Sequence, residues 1–232
     1  MKIVMLNGQN HKGSSYTIGK KIIDKIDGEK EVREFFFPKD LNHFCIGCYN
    51  CIEDETSCPF YDEKKVILDA LYEADIIIAT TPTYCMHVSA PFKAFIDLTF
   101  DNWMVHRPVK SMFYKKAVVV STSAGSSPKN AMKEIEDALF NMGVPSITKY
   151  GLSVQAMNWE EISDKKKAMI DKKTTRISKK LSKGNKPEIG IKTKIVFNFM
   201  GFLQRSGMGS SPVEYDYWEN QGWFNGKRPW KN

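Results

Sequence analysis

The chain has 232 residues, 42% of them hydrophobic, 26% charged and 12% aromatic, enough to bury a sizeable core. That composition excludes a disordered, collagen-like or fibrous chain. The net charge of +7 is concentrated, since ten of the 34 basic residues fall between Lys165 and Lys186. Such a run at helical spacing is read as a solvated helix face rather than a nucleic-acid surface. No apolar run is long enough to cross a bilayer, and the chain starts Met-Lys-Ile-Val-Met-Leu without a signal-peptide pattern, so a cytoplasmic protein is expected.

In chain order, residues 2–6 form an apolar strand, followed by a polar loop and a helix carrying Ile18, Ile22, Ile23 and Ile26. A second strand is expected over 31–37, and a helix carrying Val66, Ile67, Ala70, Leu71 and Ala74 comes after a cysteine-rich stretch. Residues 75–81 are apolar and β-branched on both faces, as in a central parallel strand, and Pro82 closes them. Ser89 and Pro91 then open a helix with Phe92, Phe95, Ile96 and Thr99. A fourth strand spans 117–122, a helix carries Ala131, Ile135, Ala138, Leu139 and Met142, and a fifth strand spans 146–152. A helix from about residue 159 to 181 closes the series. The alternation predicts a doubly wound five-stranded parallel α/β sheet with helices on both faces, residues 1–183, with a cysteine-rich insertion at 43–62. Residues 184–232 form an extension, and six of the last 20 residues are aromatic: Tyr215, Tyr217, Trp218, Trp223, Phe224 and Trp230. So apolar a tail is expected to dock on its own domain or on a second subunit.

Ligands in such sheets bind at the carboxyl ends of the strands, where three loops gather: 8–17, 82–88 and 123–128. The first offers glycines, the hydroxyls of Ser14, Ser15 and Thr17, and the cations His11 and Lys12 before a helix N-terminus, which suits a phosphate. Neither G-x-G-x-x-G nor G-x-x-x-x-G-K-[ST] is present, so dinucleotide and triphosphate fingerprints do not apply. A capped strand-to-helix turn fits this loop equally well when it is taken alone.

Together the loop 8–17, the segment Pro82-Thr-Tyr-Cys-Met-His-Val-Ser-Ala-Pro-Phe-Lys-Ala-Phe-Ile-Asp97 and the small-residue loop Ser123-Ala-Gly-Ser126 resemble the flavodoxin-like NADPH-dependent FMN reductases over roughly residues 1–180. The resemblance implies an oxidoreductase with FMN as cofactor and NAD(P)H as co-substrate. It assigns His11, Ser15, Tyr16 and Thr17 to the phosphate, Pro82, Thr83, Tyr84, Cys85 and Met86 to the ring and ribityl chain, and Ser123, Ala124 and Gly125 to the ring. Leu98 stands where relatives often have Arg, so that role lapses or passes to Arg107. No side chain is assigned as catalytic, because the hydride and electron chemistry belongs to the flavin.

Four of the five cysteines follow the pattern C-x2-C-x2-C-x6-C-P at Cys45, Cys48, Cys51 and Cys58. Three thiols in one compact run followed by Cys-Pro favour a 4Fe–4S cluster, while zinc and four free thiols are the alternatives. The position resembles that of the cysteine motif in iron–sulfur flavoproteins of the same fold. This implies a homodimer or larger homo-oligomer, with electrons passing between a small-molecule or redox-protein partner, the cluster and FMN. Cys85 is read as a small packing residue, and His43, His87 and His106 as polar loop residues, His87 being the one nearest a ligand. Two rival functions stand beside this one: a cluster-free NAD(P)H-dependent FMN or quinone reductase, and a zinc-stiffened basic module binding nucleic acid or an acidic partner.

Overall fold

The computed structural model describes residues 1–208 and 211–231. Five strands, β1 (Lys2–Asn7), β2 (Glu31–Phe36), β3 (Ile76–Pro82), β4 (Lys116–Ser123) and β5 (Ser146–Ser153), form one sheet in the order β2-β1-β3-β4-β5. All neighbours pair in parallel. This is the flavodoxin-like order, and the direction of winding reverses between β1 and β3, which opens a crevice beyond their carboxyl ends. Every residue of β3 is buried, as expected for a strand covered on both faces.

The described residues form eight α-helices besides the sheet: α1 (Ser14–Asp24), α2 (Asn50–Glu53), α3 (Tyr61–Glu73), α4 (Ala90–Asp97), α5 (Lys129–Asn141), α6 (Asp164–Leu181), α7 (Ile191–Ser206) and α8 (Pro212–Asn220). One apolar layer joins Ile18, Ile22 and Ile23 of α1 to Ile170, Ile177 and Leu181 of α6 on one face of the sheet. The other face carries α3, α4 and α5 through Leu71, Phe95, Ile135 and Leu139. The basic run lies on α6, whose Ile170, Thr174, Ile177 and Leu181 turn inward, so most of its cations face solvent as the charge pattern predicts. The helix starts at Asp164, later than the expected 159, because residues 158–161 fold as a turn in which Glu161 accepts from the Asn158 amide and the Met157 N–H.

The aromatic extension docks on its own chain. Phe197, Trp218 and Trp223 pack with Met104 and Phe113, and Trp230 adds to them. Phe113 precedes β4 and Phe140 ends α5, so the extension covers the amino end of the sheet, away from the crevice. Its helices α7 and α8 are not part of the sequence expectation. Outward-facing Ile191, Ile195, Phe199 and Phe202 give α7 an apolar stripe in solvent. Among the described residues no helix is long and apolar enough to cross a membrane.

Candidate functional site

The end of β1 is held by side chains acting as extra backbone. Buried Asn7 donates to the Phe35 carbonyl at 3.0 Å and accepts from the Thr80 hydroxyl at 2.8 Å, tying the tips of β2, β1 and β3 together. Gly8 follows, and a Cβ there would lie 2.6 Å from Ser89 Oγ and 2.9 Å from Thr81 Oγ1. Only glycine allows this approach, which the Ser89 hydroxyl completes by donating to the Gly8 carbonyl at 2.6 Å.

The chain then runs over the crevice into α1, whose N-cap is Gly13 and whose first turn has no side-chain cap. A helix start without a cap presents unpaired N–H groups and the positive end of the helix dipole. This end opens into a cleft of ≈330 Å³ lined by Gln9, His11, Gly13, Ser14, Ser15, Pro82, Thr83, Tyr84, Thr122, Ser123, Ala124, Val154, Ala156 and Met157. The second wall is fixed by the Thr83 N–H donating to Thr122 O at 2.7 Å and by the Thr83 and Ser121 hydroxyls 2.9 Å apart. Tyr84 reaches across the mouth and donates to Gln9 Oε1 at 2.7 Å. The third wall is the 123–126 turn, closed by Ser123 on the Ser126 carbonyl and tied to β5 by Ser153 donating to Ala124 O at 3.1 Å.

His11, Ser15, Pro82, Thr83, Tyr84, Ser123 and Ala124 therefore share one cleft. Five other expected residues do not line it. Tyr16 turns to β2, where its hydroxyl donates to Glu34 and its ring packs on Phe36; burial, then the Glu34 charge, pushes this phenol up to about 12. Thr17 spends its hydroxyl on Gly13 O. Cys85 and Met86 form an exposed turn at φ +49° and +68°, closed by mutual backbone bonds between Tyr84 and His87, and Cys85 stands apart from the other four cysteines. Gly125 is exposed at the tip of its loop. Ser14, whose hydroxyl the first loop offered, also lines the cleft, while sequence reading missed Gln9, Thr122, Val154, Ala156 and Met157; the last three follow β5, a strand end that the three-loop pattern left out.

The cysteines gather elsewhere. Cys45, Cys48, Cys51 and Cys58 all border one small apolar cavity of ≈20 Å³, with Ile46, Tyr49, Pro59, Phe60, Asp97, Leu98 and Phe100 as its other walls. Leu98, which stands where relatives often have Arg, borders this cavity. Cys45 and Cys48 sit on an exposed loop, Cys51 is buried on α2, and Cys58 is half-buried before Pro59. Burial, then the charge of Asp101, pushes the Cys51 thiol up to about 11. All five cysteines are free thiols. Among the described residues no group of three or more His, Cys, Asp or Glu side chains is already arranged around a metal position.

Arg107 lies on the cysteine side and not in the cleft, donating to the carbonyls of Cys51 and Ile52. Beneath the cavity, Lys64 and Asp101 form an ion pair at 3.2 Å with both side chains 1% exposed. Each of the three loop histidines pairs with a glutamate: His43 with Glu63, His87 with Glu134 and His106 with Glu214. His43 also stacks on Phe60 at 4.4 Å, which anchors the start of the cysteine loop, and His87 stays outside the cleft.

The family model described as NADPH-dependent FMN reductase matches residues 1–158. An iron–sulfur flavoprotein of Clostridioides difficile is 24% identical over 239 residues, 96% of this chain and 99% of the relative. An iron–sulfur flavoprotein of Methanocaldococcus jannaschii is 29% identical over 145 residues, 59% of this chain and 70% of the relative. Among solved structures, an FMN-dependent NADH-azoreductase from Bacillus anthracis in complex with FMN superposes with a TM-score of 0.60 at 9% identity, covering 78% of this chain and all of the other.

Proposed function

Because the chain belongs to the NADPH-dependent FMN reductase family and is an oxidoreductase, we propose that it holds FMN in the cleft between β1, β3 and β4 and a 4Fe–4S cluster at Cys45, Cys48, Cys51 and Cys58. The observation that carries the flavin site is the convergence of three loops on one cleft at the topological switch, with the uncapped start of α1 opening into it. FMN supplies hydride and single-electron chemistry when bound.

The residues of the cleft fit that group in their order. The N–H groups opening α1, with the hydroxyls of Ser14 and Ser15 and with His11, bind a phosphate where the helix dipole favours negative charge. Tyr16 and Thr17 contribute backbone to that turn while their side chains brace it. Pro82, Thr83 and Tyr84 form one wall for a planar ring, and the small residues Ser123 and Ala124 form the other. Cys85, Met86 and Gly125 shape the rim through their turns. NAD(P)H is the proposed hydride donor, approaching over the open mouth beside Tyr84.

The cluster reading rests on the cysteine spacing, on four thiols bordering one apolar cavity, and on relatives named iron–sulfur flavoproteins. The present cavity holds about one water, so admitting a cluster requires the loop with Cys45 and Cys48 to swing outward. Residues 44–50 have no buried side chain to resist this. We further propose that the chain works as a homodimer or larger homo-oligomer with a small-molecule or redox-protein partner.

Anaerobic purification and reconstitution, followed by visible spectroscopy and assays of flavin, iron, sulfide and zinc, tests the reading. The expected result is one FMN with about four iron and four sulfide per chain, a broad shoulder near 400 nm, and flavin bleaching by NADPH. Flavin without iron and sulfide after reconstitution would leave the cluster-free reductase. No flavin, with zinc present, would overturn the flavin site itself.

A further inference from the structure

The segment 103–108 lies between the cysteine loop and the C-terminal extension, and it is held almost residue by residue. Gln204 of α7 donates to Val105 O, Trp218 Nε1 donates to His106 O at 2.6 Å, and Tyr217 Oη donates to Pro108 O at 2.9 Å. His106 Nδ1 lies 2.6 Å from Oε1 of Glu214, which is itself 1% exposed. A backbone fixed at three carbonyls and one side chain gives Arg107, in its middle, a defined direction. The Arg107 N–H is fixed as well, on Asp101 O at 3.2 Å.

From that fixed root the guanidinium forks onto two successive carbonyls of α2, with Nη1 2.5 Å from Ile52 O and Nη2 on Cys51 O. Helix α2 is one turn long, with Tyr49 at φ +60° before it and Asp54 extended after it, so its own hydrogen bonds cannot fix it. Orphan carbonyls at the end of so short a helix need external donors, and a planar fork satisfies two at once. Both hydrogen-bond partners are neutral carbonyls, and the Arg107 charge also reaches the Asp54 carboxylate at the end of α2, which it helps to hold below the usual carboxylate range.

We infer that Arg107 is a positioning residue for the metal centre: braced by α7 and α8, it holds α2 so that Cys51 faces the common cavity, and it places a positive charge beside that centre. The inference rests on the cluster reading above for its electrostatic half, while the clasp on α2 is independent of it. A positive charge next to a redox centre stabilises the added electron and raises the reduction potential. The C-terminal extension, none of whose described residues lines the cleft, thereby acquires a role at the second site.

The test has two arms. In the first, metal-free reduced protein is alkylated and Cys51 modification is followed by peptide mass spectrometry in wild type, Arg107→Ala, Arg107→Lys and Tyr217→Phe, with circular dichroism as the control for folding. Arg107→Ala is expected to expose Cys51 and speed its modification several-fold, and Tyr217→Phe, which removes only the brace at Pro108, to do so by less. Where Arg107→Ala does not fold, Arg107→Lys and Tyr217→Phe decide the same arm. Unchanged Cys51 reactivity in the folded variants overturns the inference whatever the metal content.

In the second arm, reconstituted proteins are assayed for iron and sulfide, for loss of iron to a chelator, and for potential by dye-mediated titration with electron paramagnetic resonance. The loss of Arg107 should weaken retention of the centre roughly 10- to 100-fold, as for other groups that orient metal ligands. Its potential should move to more negative values, and Arg107→Lys should recover the potential better than the retention. Equal loading and equal potential in wild type and Arg107→Ala overturn the electrostatic half. Wild type that takes up neither iron nor sulfide sinks the cluster reading instead, with the clasp still decided by the first arm.

Discussion

Ser15 and Thr17 lie two residues apart in the first turn of α1, yet their hydroxyls serve different partners. Ser15 is 3% exposed and lines the cleft, whereas the Thr17 hydroxyl is already committed to Gly13 O at 3.1 Å. Ser15→Ala should therefore raise the dissociation constant for FMN by roughly tenfold, the cost of one hydrogen bond to a charged group, and Thr17→Ala should leave it nearly unchanged. Equilibrium dialysis of apoprotein with FMN checks both, and equal effects would contradict the division of labour. Arg107 shows the limit of reading residues one at a time. Its fork spans 55 and 56 positions of sequence, so no local spacing could announce it. The cysteines were legible because four thiols in 14 residues form a local pattern that carries its own chemistry.

Elements with a strong period were legible for the same reason. β3 and β4 read as buried because their apolar runs are continuous, and the crevice followed from strand order alone. The helices of the extension were hidden, since α7 is apolar on two sides: Phe197 is buried with Thr193 and Gln204 while Ile191, Ile195, Phe199 and Phe202 face outward, which blurs the usual single stripe. The start of α8 did carry a signal, Ser-Pro-Val-Glu, and Ser211 and Glu214 form a reciprocal capping box there. At the end of α3, Lys115 donates to the carbonyls of Tyr72 and Ala74 from a buried position, and that burial brings its ammonium down to about 8. The unfolded chain keeps this group charged to about 10.5. Between those values the unfolded state holds more protons, so this group's contribution to stability grows as pH rises from about 8 to 10.5. Tyr16 and Tyr217, both pushed up to about 12, act oppositely above pH 10. Urea midpoints at pH 7.5 and 9.5 should show wild type gaining on Lys115→Met over that interval, and parallel curves would remove Lys115 from the account.

The two ends of the sheet carry different features. The cleft sits at the carboxyl edge of the sheet, while Phe197 forms the hub of the opposite end, with its ring 5.7 Å from Phe113, 4.8 Å from Trp218, 5.2 Å from Trp223 and 5.1 Å from Trp230. Because Phe113 belongs to the sheet domain and the tryptophans to the extension, the two should unfold together. Phe197→Ala should cost about 3–5 kcal/mol, the range for truncating a buried aromatic. Wild type should give one calorimetric transition, and a separate early transition for the extension would show that it folds on its own account.

That same hub sets a timetable for the growing polypeptide. Met104, Phe113 and Phe140 are all made before Phe197, and Trp230 comes more than 30 residues after it. At roughly 5–20 residues per second, a ribosome spends several seconds between Phe140 and Trp230 with this apolar surface uncovered. Through that interval the apolar face around Phe113 and Phe140 waits for its cover, which is complete only once Trp230 has been made.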